Sequence, residues 1–530
     1  MFKLFKNNRE KSLTVISVFL LIIVLFLFFH DCINEILNFI LLDFDGSYNA
    51  QVAKNFAEEG FYGVNYPDRI AYYNIITTGP TVLLPTALIY KMFGINYLTT
   101  GIIPLIYAAG VITLLFLLSL VIFKRMKTVC GVGVILLYLG TSSHFQYTST
   151  HLIGETAALF FTLLSVCLLI RFLQKRNYMV LFFSGYFLSF SFVTKTSQIC
   201  ICLVMIMLLL VDTIFKRFGI KDYFMFLCSF ICGLLSWDIF KLVQFKGDLK
   251  RVFDWWILEK QNMFNQTGTR QLFSDFSLEL ILDRLYYLRE VFYLPVFIYV
   301  LLMLFPLLIY AGLLMKNWNK KSFIDKYIVL SYLGIAGDSL LVYFIFFGSS
   351  GMKYARRLSV YADCILIFNI FFIIIIFNEV ISKKGIFSRT LFCILIIGGI
   401  SVTFIRHYAT YFLKRGLSNE YLAQSEMLEE LNKLDPGIDL YVYGWWQAPE
   451  LSLYSDKEFR DISNYPATGR QVNPDKSYIL VSSRMEIGED NKVLFSEYMQ
   501  QFYELDLVWH SSYSENSELF CIYKIKRNKY

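Results

Sequence analysis

The sequence predicts an all-α polytopic membrane bundle of about eleven spans, followed by a small α/β extracytoplasmic domain at its C-terminal end. Three observations predict it. Of 530 residues, 56% are apolar and only 17% charged, where a soluble globular protein carries about 25% charged residues. The apolar residues are gathered into blocks of about 17–25, the length that crosses roughly 30 Å of hydrocarbon as helix. The loops between alternate blocks are basic, as loops facing the cytoplasm are. With 52 Phe and 36 Tyr, neither a soluble enzyme nor a disordered or fibrous chain fits.

In chain order the spans fall near 13–29, 97–123, 128–146, 152–171, 178–194, 196–215, 223–243, 292–314, 327–347, 360–378 and 390–406. The first is long and runs into Phe28-Phe29-His30-Asp31 rather than a small-residue cleavage site, so it reads as a span and not a removable signal. With the N-terminus inside, the cytoplasmic segments hold Lys3, Lys6, Arg9 and Lys11, then Lys124, Arg125 and Lys127, then Arg171, Lys175 and Arg176. Lys216, Arg217 and Lys221 follow, then Lys316, Lys320, Lys321 and Lys326, then Lys383, Lys384 and Arg389. The hairpin around 147–151, on the other side, has no Lys or Arg. The alternation predicts a multi-pass protein of the cytoplasmic membrane, N-terminus in and C-terminus out. The net charge of +7 then reflects loop placement, and no nucleic-acid partner is expected.

Three external segments result. Residues 30–96 are acidic in their first part; 244–291 are mixed in charge, with amphipathic spacing toward Phe292; 407–530 form the tail. The chain thus divides into a membrane domain, 1–406, and an extracytoplasmic domain, 407–530. In the tail, Glu420–Leu434 reads as a helix, and Ile438–Tyr443, Tyr478–Ser482 and Phe520–Ile525 read as strands around the turn Asp435-Pro436-Gly437. Eight of ten cysteines lie in apolar blocks and behave as small hydrophobes; only Cys32 and Cys521 are expected in water, so no disulfide framework or zinc spacing is read.

The informative residues are those the membrane does not explain. Two external hairpins carry positive charge: Lys195, in Phe192-Val193-Thr194-Lys195-Thr196, and Lys353-Tyr354-Ala355-Arg356-Arg357. An acidic neighbour or the phosphate of a lipid-linked substrate compensates such charges, Arg binding phosphate in bidentate fashion. Asp43 and Asp45 stand at the outer interface before the amphipathic stretch Ser47–Phe56. Glu155 sits at the outer end of a span, with His151 one turn before it. An interfacial carboxylate is a functional candidate; the structural alternative for Glu155 is a buried partner for Lys195 or an Arg, and for His151 a structural hydrogen bond.

These residues also carry a resemblance. Asp45, Tyr48, Ala53, Asn55 and Gly60 in DGSYNAQVAKNFAEEGFY resemble the first external loop of the C-type (GT-C) glycosyltransferases, in the branch of protein O-mannosyltransferases and the aminoarabinose transferase of lipid A. Thr77–Gly94, Ile153–Phe161 and Thr194-Lys195 are similar to further family segments, and the likeness covers roughly 40–200, with Arg356-Arg357 more loosely. Where relatives have an Asp-Glu pair this chain has Asp45-Gly46, so that either Asp43 substitutes from two positions earlier or the role rests on Asp45 alone; where many have Lys before the Pro, Thr77-Thr78-Gly79-Pro80 offers hydroxyls and backbone N–H groups. The resemblance implies transfer of a sugar from a polyprenyl-phosphate donor to a hydroxyl of an envelope glycan, lipid or protein acceptor, with inversion. Asp45, or Asp43, takes the acceptor proton; Lys195, Arg356 and Arg357 stabilise the departing phosphate; Tyr48, Glu155, His151 and Thr78 support them. No cofactor is required, and a divalent metal at the Asp43/Asp45 pair is compatible but not demanded. No P-loop or Gly-rich nucleotide motif is present. A transporter or flippase, or a non-catalytic subunit, are the rival classes. Trp445-Trp446, early in the tail, read as core or interfacial anchors, or as a cap over the external site.

Overall fold

The computed structural model describes residues 2–38, 44–64, 70–72, 76, 78–123, 126–142, 144–267, 277–292, 294–316, 326–347, 355–376 and 419–442, and beyond 450 residues 451–453, 455, 457–462, 465, 471–474, 476–482, 486–487, 493–494, 499–512 and 520–529. It opens with α1 (Phe2–Asn38), α2 (Phe44–Glu59), a two-stranded ribbon of β1 (Gly63–Val64) and β2 (Ile70–Ala71), and α3 (Pro80–Phe93). There follow α4 (Tyr97–Ile122), α5 (Lys127–Thr141), α6 (Phe145–Thr150), α7 (Glu155–Lys175), α8 (Tyr178–Thr194), α9 (Ile199–Ile214) and α10 (Ile220–Gln244). The second half adds α11 (Leu249–Thr267), α12 (Leu278–Phe292), α13 (Val296–Lys316), α14 (Lys326–Phe347) and α15 (Ala355–Ile376).

Among the described residues, eight helices are long and apolar enough to cross a membrane, and α3, α5 and α8 are shorter apolar helices. Ten of the expected spans coincide with described helices; the last, 390–406, lies outside the described residues. The chain is a polytopic helical bundle. Without a hydrophobic drive between helices in lipid, close packing needs small residues. At Gly185 and Gly233 a Cβ would stand 2.4 Å from Phe226 O and 3.0 Å from Tyr186 O, so α8 and α10 meet backbone to backbone. Hydroxyl pairs, Thr162 with Ser191 at 2.8 Å and Ser165 with Ser184 at 3.3 Å, join α7 to α8. At the end of the bundle away from α2, Asp212 pairs with Arg217 at 3.2 Å and accepts from the Tyr332 hydroxyl, and Lys326 Nζ donates to Val121 O at 2.8 Å.

Three expectations are corrected. The first helix does not stop at Phe29. Ile33, Ile36 and Leu37 extend its apolar surface past the polar His30-Asp31, so the span runs Thr14–Leu37 and Cys32 is buried within it. Cys521 is buried too, on an inner strand of the tail's sheet. The expected external segment 30–96 contains a 14-residue apolar helix, α3, started by Pro80 at a position where its missing N–H costs nothing.

The tail builds α16 (Asn419–Lys433), β3 (Asp439–Val442), β4 (Phe459–Asp461), β5 (Ser477–Ser482), the small ribbon β6 (Glu486–Ile487) and β7 (Val493–Leu494), β8 (Tyr503–His510) and β9 (Phe520–Asn528). Five strands order as β4-β3-β5-β9-β8, parallel across β4, β3 and β5 and antiparallel across β5, β9 and β8. Alternation divides their side chains: Leu440, Val442, Leu480 and Ile522 pack with Ala423, Met427 and Leu431 of α16, while Tyr441, Ile479 and Val481 face a second cluster with Tyr503. The helix and the three strands expected from sequence are all present.

Candidate active site

α2 begins with a run of buried polar groups. Asp45 is 7% exposed, and Ser47, Tyr48 and Asn49 are fully buried or nearly so. Asp45 stands in the first turn, where the helix dipole favours a carboxylate. Buried polar side chains require partners. Asn49 Nδ2 finds two, donating to Thr78 Oγ1 at 2.9 Å and to Leu152 O at 2.7 Å. That one amide ties α2 to the segment before α3 and to the segment before α7.

Two glycines allow the approach. Gly79 N donates to Thr194 O at 2.8 Å, and a Cβ there would lie 1.8 Å from Val193 O. Gly154 has φ +87°, and a Cβ on it would press within 2.9 Å of Thr78 Cγ2. Thr81 and Thr194 hydroxyls bond at 2.6 Å across the same seam. Lys195, which caps α8, turns its amine to Glu155 Oε1 at 2.9 Å and to Ile153 O at 2.7 Å, and both side chains are buried. Four segments far apart in the chain, around Asp45, Thr78, Glu155 and Lys195, therefore converge at one end of the bundle.

Beside them is a small open cleft, lined among others by Tyr62, Tyr72, Thr78, Thr194, Thr196 and Trp237. Its aromatic wall is held by hydrogen bonds. Trp237 Nε1 donates to the Tyr72 hydroxyl at 3.0 Å and Trp255 Nε1 to Tyr72 O at 2.9 Å, while Tyr62 and Tyr72 stack at 4.5 Å. Tyr72 takes the left-handed φ of +51°, rare for a bulky residue. Behind the wall Lys241 Nζ lies 3.8–4.1 Å from the ring centres of Trp237, Trp255 and Trp256 and 2.7 Å from Asp238 Oδ1. A desolvated ammonium gains from each ring face, so Lys241 cements α10 to α11. Burial pushes the Tyr62 and Tyr72 hydroxyls well above the usual phenol range and keeps them protonated. Burial likewise raises the Glu259 carboxyl, against a lowering by its Thr196 hydrogen bond and by Lys241.

The sequence matches no family model and no curated protein. Solved structures do match. ArnT from Cupriavidus metallidurans bound to undecaprenyl phosphate aligns with TM-score 0.57 at 12% identity, covering 96% of this chain and 98% of that one. Its apo structure aligns with TM-score 0.53 at 12% identity over 97% and 99%. The Archaeoglobus fulgidus oligosaccharyltransferase in complex with zinc and sulfate aligns with TM-score 0.51 at 12% identity, over 94% of this chain and 73% of that one. This chain has the C-type glycosyltransferase fold.

Within that C-type fold the expected site residues fall as follows. Asp45, Tyr48, Thr78, Glu155 and Lys195 lie in the converging segments; Glu155 and Lys195 face each other. The His151 ring lies 4.0 Å from that of Tyr147, tilted by 30°, with its Nδ1 2.9 Å from Tyr147 O and 3.0 Å from Thr150 Oγ1. Arg357 is half-buried in the first turn of α15; one turn on, the Tyr361 hydroxyl donates to Ser197 O, so this helix end abuts the strip that carries Lys195. The Arg356 side chain, Asp43, Lys353 and Trp445-Trp446 lie outside the described residues. Among the described residues no group of three or more His, Cys, Asp or Glu comes together to hold a metal ion.

Sequence reasoning passed over Asn49, Gly79, Gly154 and the Lys241–tryptophan cluster. The cluster left a signal: Lys241 interrupts an apolar block, and Trp255-Trp256 stand side by side in an otherwise charged segment. The glycines left none, because a close approach is a property of two segments.

Proposed function

We propose that the chain is an integral-membrane glycosyltransferase that moves a sugar from a polyprenyl-phosphate carrier to a hydroxyl of a cell-envelope glycan, lipid or protein, outside the cytoplasm and with inversion. The observation that carries this reading is the buried Asp45 at the start of α2, tied through Asn49 and Thr78 to the segments of Glu155 and Lys195 within a C-type fold. The undecaprenyl phosphate held by an ArnT structure of the same fold supports a lipid-phosphate donor.

The chemistry follows from the side chains. An acceptor hydroxyl is a weak nucleophile. Asp45 takes its proton as the oxygen attacks the anomeric carbon, a contribution of roughly 10²–10⁴ in rate. The sugar–phosphate bond breaks on the opposite face, inverting that carbon, and the lipid phosphate leaves with its negative charge grown. Arg357 and Arg356, at the first turn of α15, are suited to receive it, the planar guanidinium matching phosphate oxygens. Lys195 adds positive charge held in place by Glu155, and Tyr48, His151 and Thr78 keep the surrounding segments in position.

The test is turnover of a radiolabelled polyprenyl-phosphate sugar by purified protein with envelope fractions as acceptor. Asp45→Asn is expected to lower turnover by at least about 100-fold while the donor still binds. An Asp45→Asn protein of full activity would overturn the assignment of the base. A wild-type protein that moves lipid-linked sugar across vesicles without consuming it would overturn the enzyme reading in favour of a transporter.

A further inference from the structure

Asn49 has an oxygen with nothing to hold. Its Nδ2 is committed to Leu152 O and Thr78 Oγ1, at 2.7 and 2.9 Å. A backbone carbonyl can only accept, so the end facing Leu152 must be the NH₂, and the orientation of the amide is thereby decided. The opposite end, Oδ1, is buried, and among the described residues it has no hydrogen-bond partner. The residue is 0% exposed. A buried acceptor left unmet costs about 1–3 kcal/mol, and native structures retain few of them without a reason.

Its place in the fold supplies the reason. Asn49 is one helical turn beyond Asp45 on the same face of α2, as residues four apart are. Its partner Thr78 lines the cleft beside the site. We infer that Asn49 Oδ1 is a substrate-binding acceptor: it takes a hydrogen bond from a hydroxyl of the reacting carbohydrate, next to Asp45. A phosphate ionised at neutral pH offers such an oxygen no proton, so the group recognised belongs to a sugar and not to the lipid carrier's headgroup. Two sugars meet at such a site, the one transferred and the one accepting, and both present hydroxyls. The inference rests on the glycosyltransferase reading and deepens it, because Asn49 becomes a residue that selects which sugar reacts.

The experiment is a cycle between the protein and the sugar. Polyprenyl-phosphate sugars, and separately acceptors, are prepared with single hydroxyls deleted, and each is assayed with the wild type and with Asn49→Ala. In the wild type one deletion is expected to lower kcat/KM by about 5- to 150-fold, the range of one buried acceptor left unpaired. In Asn49→Ala the same deletion should have no further effect. Affinity for undecaprenyl phosphate alone should stay within about twofold, since the carrier lacks the recognised hydroxyl. The sensitive analogue identifies the source: a donor analogue means the transferred sugar, an acceptor analogue the receiving one. Where the alanine variant does not fold, the wild-type series decides by itself: if no single deletion lowers kcat/KM by at least about fivefold, the inference is overturned. An alanine variant that discriminates as the wild type does, or that weakens every analogue and undecaprenyl phosphate alike, would overturn the inference. A wild type that transfers no sugar from any such donor would overturn the enzyme reading instead, and this inference with it.

Discussion

Replacing Lys195 by Met tests whether this lysine belongs to the protein or to the substrate. Its amine is 2.9 Å from Glu155 Oε1, and the two side chains are 9% and 3% exposed. At an effective dielectric of about 20 their gross attraction is about 6 kcal/mol, much of it offset by the desolvation of both ions. Removing one partner leaves the other charge buried, which costs about 3–5 kcal/mol. Ile153 O also loses its donor, previously 2.7 Å away. Lys195→Met and Glu155→Gln should each lower the melting temperature in detergent markedly, and the double variant should recover most of the loss because no charge is then left alone. The assay is a thermal unfolding series on the four proteins, with turnover expressed per folded molecule. A coupling of at least about 2 kcal/mol between the two positions is expected, within the range seen for residues in contact. If Lys195→Met melts like the wild type, the double variant shows no recovery, and donor affinity alone collapses, the lysine serves the donor phosphate and its pairing with Glu155 is incidental.

Gly79→Ala should disable the site while sparing the bundle. Its Cβ would stand 1.8 Å from Val193 O, so α3 and α8 must part by more than about 1 Å, at an overpacking cost of about 1–3 kcal/mol. A displacement of that size near reacting groups lowers turnover by about 100-fold, so a Gly79→Ala enzyme of near-normal turnover would show that the seam does not position the chemistry. Glu259→Gln should change how stability depends on pH. Burial raises the folded-state pKa of Glu259 above its unfolded value, so the folded state holds the proton longer and stability falls as pH climbs from the ordinary carboxylate range to the raised value. The Gln variant should lack that fall, matching the wild type in acid and exceeding it above the window, as melting curves across pH would reveal; identical curves would refute it.

Much of this architecture was legible in the sequence because the bilayer imposes it residue by residue. A stretch such as Tyr97–Ile122 can only be a buried or membrane-crossing helix, since lipid satisfies no backbone hydrogen bond. The strands of the tail were legible for a similar local reason: alternation in Tyr478–Ser482 divides two packed faces with a period of two. Asp45, Glu155 and Lys195 were legible as candidates because charge at a membrane boundary requires an explanation. Their partners were not. That Lys195 meets Glu155 and that Asn49 joins Thr78 to Leu152 are facts about segments tens of residues to about a hundred apart in the chain, and that Lys241 sits among three indoles is a fact about two helices folded against each other. The continuation of the first span past His30-Asp31 escaped the reading for another reason: Ile33, Ile36 and Leu37 resume the apolar surface beyond a polar pair that reads locally as an end. Periodicity, composition and charge act within one segment, and they determined the spans and the strands. Which segments touch depends on three-dimensional packing, where a glycine's missing Cβ or a single amide sets the approach, and that only the tertiary structure decided.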